Sequence, residues 1–152
     1  MSQDTENERA AIQHILQSYL YLFSQQRWDE WIDLWADDGV LEFPFAPAER
    51  RRRYVGTPDI LAYMKPMSGR MKVEELKYFH VHPMLDPAMS CLERGVKGRI
   101  LETGVPYNQK YISIIETKGG KASRYKEYWN RIVSIDANGG RDAWTAAFGS
   151  PE

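Results

Sequence analysis

Apolar residues Ile12, Ile15, Leu16, Tyr19, Leu20 and Phe23 recur at intervals of three and four, which predicts an amphipathic helix over residues 6–25 with one face on a core. Trp28, Trp31, Ile32 and Trp35 repeat that spacing. Asp29 and Glu30 suit a first helical turn, and Gly39 is placed to end this second helix. Residues 40–45 then read as a short strand, whose Pro44 cannot donate to a ladder and so marks an edge or bulge. The stretch 48–53, with its four arginines, reads as a loop. Thr57-Pro58-Asp59 starts a third helix, with Ile60, Leu61 and Met64 as its apolar face and Pro66 as its end.

Beyond Pro66 the period changes from helical to extended, and four strands are expected over 73–85, 89–102, 107–116 and 122–136. Asp86-Pro87, Gly104-Val105-Pro106 and Lys118-Gly119-Gly120-Lys121 separate them as turns, so neighbouring strands pair as antiparallel hairpins in a meander. Gly139-Gly140 then forms a joint before Trp144 and Phe148, whose i, i+4 spacing gives an apolar face able to close a pocket or grip a neighbouring subunit. No repeat, linker or low-complexity tract interrupts the chain. The expectation is one α+β domain over 1–152, with residues 1–5 and 150–152 as flexible ends: a cone-shaped barrel, three N-terminal helices packed on a curved, mostly antiparallel sheet.

Composition narrows the function classes. Twenty basic residues stand against 21 acidic ones, so no general field draws the chain to nucleic acid or an anionic membrane. No apolar run reaches the ~18 residues of a membrane span, and the start MSQDTENERAA is unlike a secretory signal. Cys91, the single cysteine, fits a reducing compartment and reads as a small buried apolar residue. A cytoplasmic protein is expected. Only three histidines are present, and His14 lies on the polar face of the first helix, so no metal site and no cofactor are expected.

The order helix, helix, strand, helix, four-strand meander resembles the ketosteroid isomerase and SnoaL-like polyketide cyclase superfamily, which shares its fold with nuclear transport factor 2. LWADDGVLEFPF (34–45) followed by YVGTPDILAYM (54–64) is similar to the isomerase stretch from helix two through strand one to helix three. PYNQKYISIIETKGGKASRYKEYWN (106–130) resembles the final hairpin of the phenazine-biosynthesis A/B proteins. By this resemblance Tyr19 occupies the place of the isomerases' oxyanion-hole tyrosine. Phe43 stands where their catalytic base would be, and gapless counting from Trp129 puts Ile112 where their second oxyanion acid would be. An apolar side chain moves no proton, so steroid isomerisation itself is not expected.

The same resemblance turns Trp129 inward, and period-2 alternation then sends Glu127 and Tyr125 inward too, with Lys126, Tyr128 and Asn130 outward. Glu127 matches the glutamate of the phenazine-protein hairpin and is the leading acid/base candidate; the alternative is a structural ion pair with Lys110, which shares the parity of Ile112. His80 and His82 share one face of their strand. His80 is similar in context to the histidine of scytalone dehydratase and is the third catalytic candidate, although a strand-end histidine is more often simply hydrogen-bonded. Trp31, Trp35, Phe43, Tyr63, Met64, His82, Lys110, Ile112 and Trp129 are the expected pocket residues. Arg50 to Arg53 read as solvated charge, with recruitment of an anionic substrate as the other reading. Three functions fit: a cofactor-independent enzyme for isomerisation, cyclisation, condensation or dehydration of a compact cyclic substrate; a noncatalytic binder of a small hydrophobic or aromatic ligand; or a structural subunit. Tyr111, Tyr128 and Ile132 are expected on an apolar outer sheet face that pairs two copies in a homodimer.

Overall fold

A computed structural model describes residues 1–148, so the expectation of a flexible end at 150–152 lies outside the described residues. Helix α1 (Gln3–Ser24) is capped by Ser2, whose Oγ accepts from the Thr5 backbone N–H at 3.3 Å, and it buries Ile12, Ile15, Leu16, Tyr19, Leu22 and Phe23. Helix α2 is shorter than its tryptophan spacing suggests, spanning only Trp28–Ile32, and the chain turns into β1 (Trp35–Glu42). The reason is long-range: the Leu34 carbonyl accepts from the Ala122 N–H at 2.8 Å, and Trp35 pairs with Ala122, so the C-terminal hairpin captures residues that locally favour helix. Gly39 therefore does not cap a helix. It sits inside β1 at the irregularity between Trp35 and Val40, where a Cβ would come within 2.9 Å of the Ala36 carbonyl and the Trp35 ring.

The arginine run is not all loop, because β2 (Arg53–Val55) pairs antiparallel with β1. Helix α3 (Thr57–Arg70) continues through Pro66, which lies on the exposed face together with Ala62, the residue whose carbonyl it leaves unbonded and open to water. The meander forms as expected from β3 (Met71–Pro83), β4 (Met89–Ile100), β5 (Pro106–Lys118) and β6 (Lys121–Trp129), all antiparallel, while β6 pairs in parallel with β1. The six-stranded order β2-β1-β6-β5-β4-β3 leaves β2 and β3 as edges, so the sheet curves without closing into a barrel. The last strand stops at Trp129 because the Asn130 side chain accepts from the Ile132 N–H at 3.0 Å and starts α4 (Arg131–Ala137); α5 (Arg141–Phe148) follows. Two more helices thus replace the end of the expected fourth strand. Trp144 is buried and donates its indole N–H to Ser134 Oγ at 3.0 Å, which docks α5 on this chain's own α4.

The helices and the inner sheet face enclose a main core, with Trp31, Leu41, Ile60, Leu92 and Ile115 at its centre. A smaller cluster of Val96, Ile100, Tyr107, Tyr111 and Ala137 lies under α4. Cys91 is half-buried on β4 rather than fully enclosed, and burial raises its thiol above the ordinary value.

Candidate active site

A cavity of about 80 Å³ is lined by side chains of both apolar clusters. That is several times the ~10–15 Å³ that one ordered water requires. Its polar groups arrive by strand alternation. On β6, Tyr125, Glu127 and Trp129 share one face, and Glu127 and Trp129 line the cavity. On β4, Arg94 lies on the face of Leu92 and Val96, is buried, and donates from Nη2 to Glu127 Oε1. Its guanidinium also sits over the Tyr111 ring, 4.4 Å from the centroid. Burial alone would lower Arg94, but the Glu127 carboxylate and the surrounding tyrosines hold it above the ordinary arginine value.

Helix α1 brings Tyr19 to the same cavity. Its ring stacks on Tyr125 at 4.8 Å and 13° and leans on Trp31 at 5.0 Å. Burial, followed by the neighbouring Tyr125 and Glu127, raises the Tyr19 phenol well above its usual value, so at neutral pH it is a hydrogen-bond donor. Tyr111 is raised in the same way, burial first, and its hydroxyl meets that of Tyr107 at 3.1 Å. Gln109 fixes the end of β6: its Nε2 donates to the Asn130 carbonyl at 2.8 Å, and its Oε1 accepts from the Asn130 N–H at 3.1 Å.

Of the three catalytic candidates, Glu127 and Tyr19 converge and His80 does not. Phe79 and Val81 turn toward the core, so His80 and His82 point out from edge strand β3; His80 is exposed, and His82 Nε2 meets Glu93 Oε2 at 2.6 Å on the surface. Phe43, Tyr63, Met64 and Trp129 line the cavity as expected. Trp31 and Trp35 pack behind Tyr19, 5.8 Å apart, as core.

Lys110 and Ile112 face outward, which overturns both the inward parity and the Glu127–Lys110 pair. The register shifts between Glu116 and Thr117, so Trp129 pairs with Tyr111, and a shift of one residue exchanges the two faces of a strand. Tyr111 accordingly moves from the expected outer face to the cavity, and Ile132 belongs to α4. Arg94, which the sequence reading did not single out, and Arg50, read there as solvated charge or as recruiting an anionic substrate, also line the cavity. Arg94 was legible in principle, since it alternates with Leu92 and Val96. Arg50 was not, because nothing local distinguishes it from the three arginines that follow. Among the described residues, no group of three or more His, Cys, Asp or Glu side chains is placed to hold a metal, and no helix is long and apolar enough to cross a membrane.

Comparison with known proteins agrees with the fold. The SnoaL-like domain family matches residues 4–108. The chain is 33% identical over 125 residues to the uncharacterized protein YesE of Bacillus subtilis, covering 82% of this chain and 85% of that one. It is 30% identical over 115 residues to an uncharacterized PhzA/B-like protein of Pseudomonas aeruginosa, covering 74% and 79%. A crystal structure of a Bacillus subtilis protein provisionally described as an isomerase superposes with a TM-score of 0.84 at 31% identity, covering 88% of this chain and 96% of that one.

Proposed function

Because the chain belongs to the SnoaL-like domain family, we propose that it is a cofactor-independent enzyme that moves a proton on a compact cyclic small molecule, with isomerisation, cyclisation, condensation or dehydration as the net reaction. The observation that carries this reading is the convergence of the Glu127 carboxylate and the protonated Tyr19 phenol on one aromatic-walled cavity. Glu127 takes a proton from carbon next to a carbonyl and returns it elsewhere. Tyr19 donates a hydrogen bond to the enolate oxygen that develops, in a site where little water competes. Arg94 is a positioning residue, since its bond to Glu127 fixes the carboxylate. Tyr111, rather than Ile112, presents a second phenol to the cavity.

The test needs no known substrate. Cyclic ketones and their ring-carboxylated analogues are incubated in D₂O, and exchange at the carbon next to the carbonyl is followed by NMR. Glu127→Gln is expected to slow exchange by roughly 10²–10⁴-fold, and Tyr19→Phe to slow it as well, with both variants folded. Ligand retention without exchange in the wild type favours the noncatalytic binder, and unchanged exchange in both variants sinks the assignment. The working unit in this reading is a pair of copies joined through the outer sheet face, where Phe45 packs on Tyr128 at 5.1 Å and Ile112 remains exposed.

A further inference from the structure

The loop between β1 and β2 buries Arg50, which is 5% exposed. Its guanidinium carbon lies within 6 Å of five ring centroids: Phe43 and Tyr63 at 4.9 Å each, Phe148 at 5.3 Å, Trp129 at 5.5 Å and Trp144 at 5.8 Å. Burial lowers this group below the ordinary arginine value, opposed first by the Tyr54 hydroxyl. Nε and Nη2 nevertheless have no hydrogen-bond partner among the described residues. Tyr54 takes up part of the guanidinium's hydrogen-bonding capacity, and the unmet donors belong to the planar fork whose geometry matches a carboxylate. A buried arginine with two orphaned nitrogens and no carboxylate partner among the described residues is an incomplete site, because packing alone would be served by an apolar side chain.

Arg50 lines the cavity that holds Glu127 and Tyr19. The charged residues of that lining are Arg50, Arg70, Arg94 and Glu127, three cations to one carboxylate. Arg94 is engaged with Glu127, which leaves the end of the cavity near Phe148 positive, since Arg70 also lies over the Phe148 ring at 5.3 Å. We infer that Arg50 is an anion subsite, and that the ligand of this cavity is a planar cyclic carboxylate whose carboxylate meets the Arg50 guanidinium edge while its ring lies among the aromatic walls. The inference rests on the reading of the cavity as a small-molecule site and gives that molecule its charge.

Benzoate and 2-naphthoate, each compared with its neutral amide, are the probes, and calorimetry measures binding to the wild type, Arg50→Met and Arg50→Lys. The wild type is expected to prefer a carboxylate over its amide by roughly ten- to a hundredfold, the worth of a charge-assisted hydrogen bond. Arg50→Met should abolish the preference while leaving amide affinity in place, and Arg50→Lys should retain part of it. Equal affinities in the wild type, no carboxylate binding at millimolar concentration, or a preference that survives Arg50→Met each overturn the inference. If Arg50→Met does not fold, a benzoate cocrystal decides: a carboxylate on Arg50 supports the subsite, and one at Arg70 or in solvent refutes it. Binding involves no turnover, so the proton-transfer reading fails separately, through unimpaired exchange in Glu127→Gln.

Discussion

Arg94→Met removes one half of a buried ion pair and keeps most of the side-chain volume. The Arg94 and Glu127 side chains are 6% and 12% exposed, so the stranded carboxylate stays largely out of bulk water. Two unit charges about 4 Å apart attract by roughly 4 kcal/mol at an effective dielectric of 20, and breaking a buried pair by removing one member costs about 3–5 kcal/mol. Loss of the cation over the Tyr111 ring, 4.4 Å from its centroid in a desolvated setting, adds up to about 2 kcal/mol. The expected deficit is therefore about 3–7 kcal/mol, a large part of the ~5–15 kcal/mol that holds a domain of this size together. Urea unfolding at neutral pH measures it. The double variant Arg94→Met/Glu127→Gln is the control, because it removes the stranded charge as well and should recover at least ~2 kcal/mol of the deficit. An Arg94→Met cost below about 1 kcal/mol, or a double variant no more stable than the single one, would refute the claim that this pair is a buried, mutually dependent unit.

Tyr19, Tyr107, Tyr111 and Tyr125 hold their protons above the ordinary phenol value, burial being the first cause in each, with Tyr125 pushed up to about 12. A group that binds its proton more tightly when folded stabilises the fold below its unfolded value near pH ~10, and that contribution is lost as pH rises through the folded value, at up to ~1.4 kcal/mol per pH unit for each phenol. Tyrosinate absorbance should therefore rise late, together with loss of circular dichroism; smooth titration of all nine tyrosines near pH ~10 with the fold intact would contradict this. Gly98→Ala places a Cβ 2.5 Å from the Lys72 backbone carbonyl on the paired strand, so thermal unfolding should report a loss of about 1–3 kcal/mol; no change would show that β3 yields freely. Ile112→Glu, at a residue 43% exposed on the outer face, should leave stability nearly unchanged and convert a dimer to monomer in sedimentation; an unaltered dimer would place the interface elsewhere.

The meander was legible because its determinants are local: Gly-rich and Pro-containing turns at regular intervals, with β-rich runs between them. The departures occur where distant chain segments compete with local preference. Trp35 satisfies a helical stripe and a buried strand position equally well, and only pairing with Ala122, far along the chain, decides for the strand. Residues 131–137 alternate well enough to pass for strand, and the deciding contact is a single side-chain cap from Asn130. Period and propensity describe what a segment tolerates, whereas pairing partners select among the tolerated states.

The site shows the same division at finer scale. Glu127, Tyr19 and Trp129 were found because a family resemblance supplied an anchor on each element, and alternation carried the inference only one or two residues from it. Lys110 and Ile112 were misplaced because that inference crossed a hairpin, where the shift between Glu116 and Thr117 exchanged the faces of β5. Parity is therefore reliable along one uninterrupted strand and carries no weight across a turn. Arg94 follows from parity along β4 alone, next to Leu92 and Val96, and was overlooked because a charge in an apolar alternation reads as an exposed position. Arg50 is harder: its burial depends on rings from the β1 end, α3, the β6 end and α5, four separate segments that meet only in the folded chain. The structural alternative weighed from sequence, a Glu127–Lys110 pair, would have neutralised that carboxylate. The pair that forms, Glu127 with Arg94, leaves Arg50 as further positive charge among aromatic walls, and that imbalance is what adds an anionic group to the hydrophobic or aromatic ligand expected from sequence.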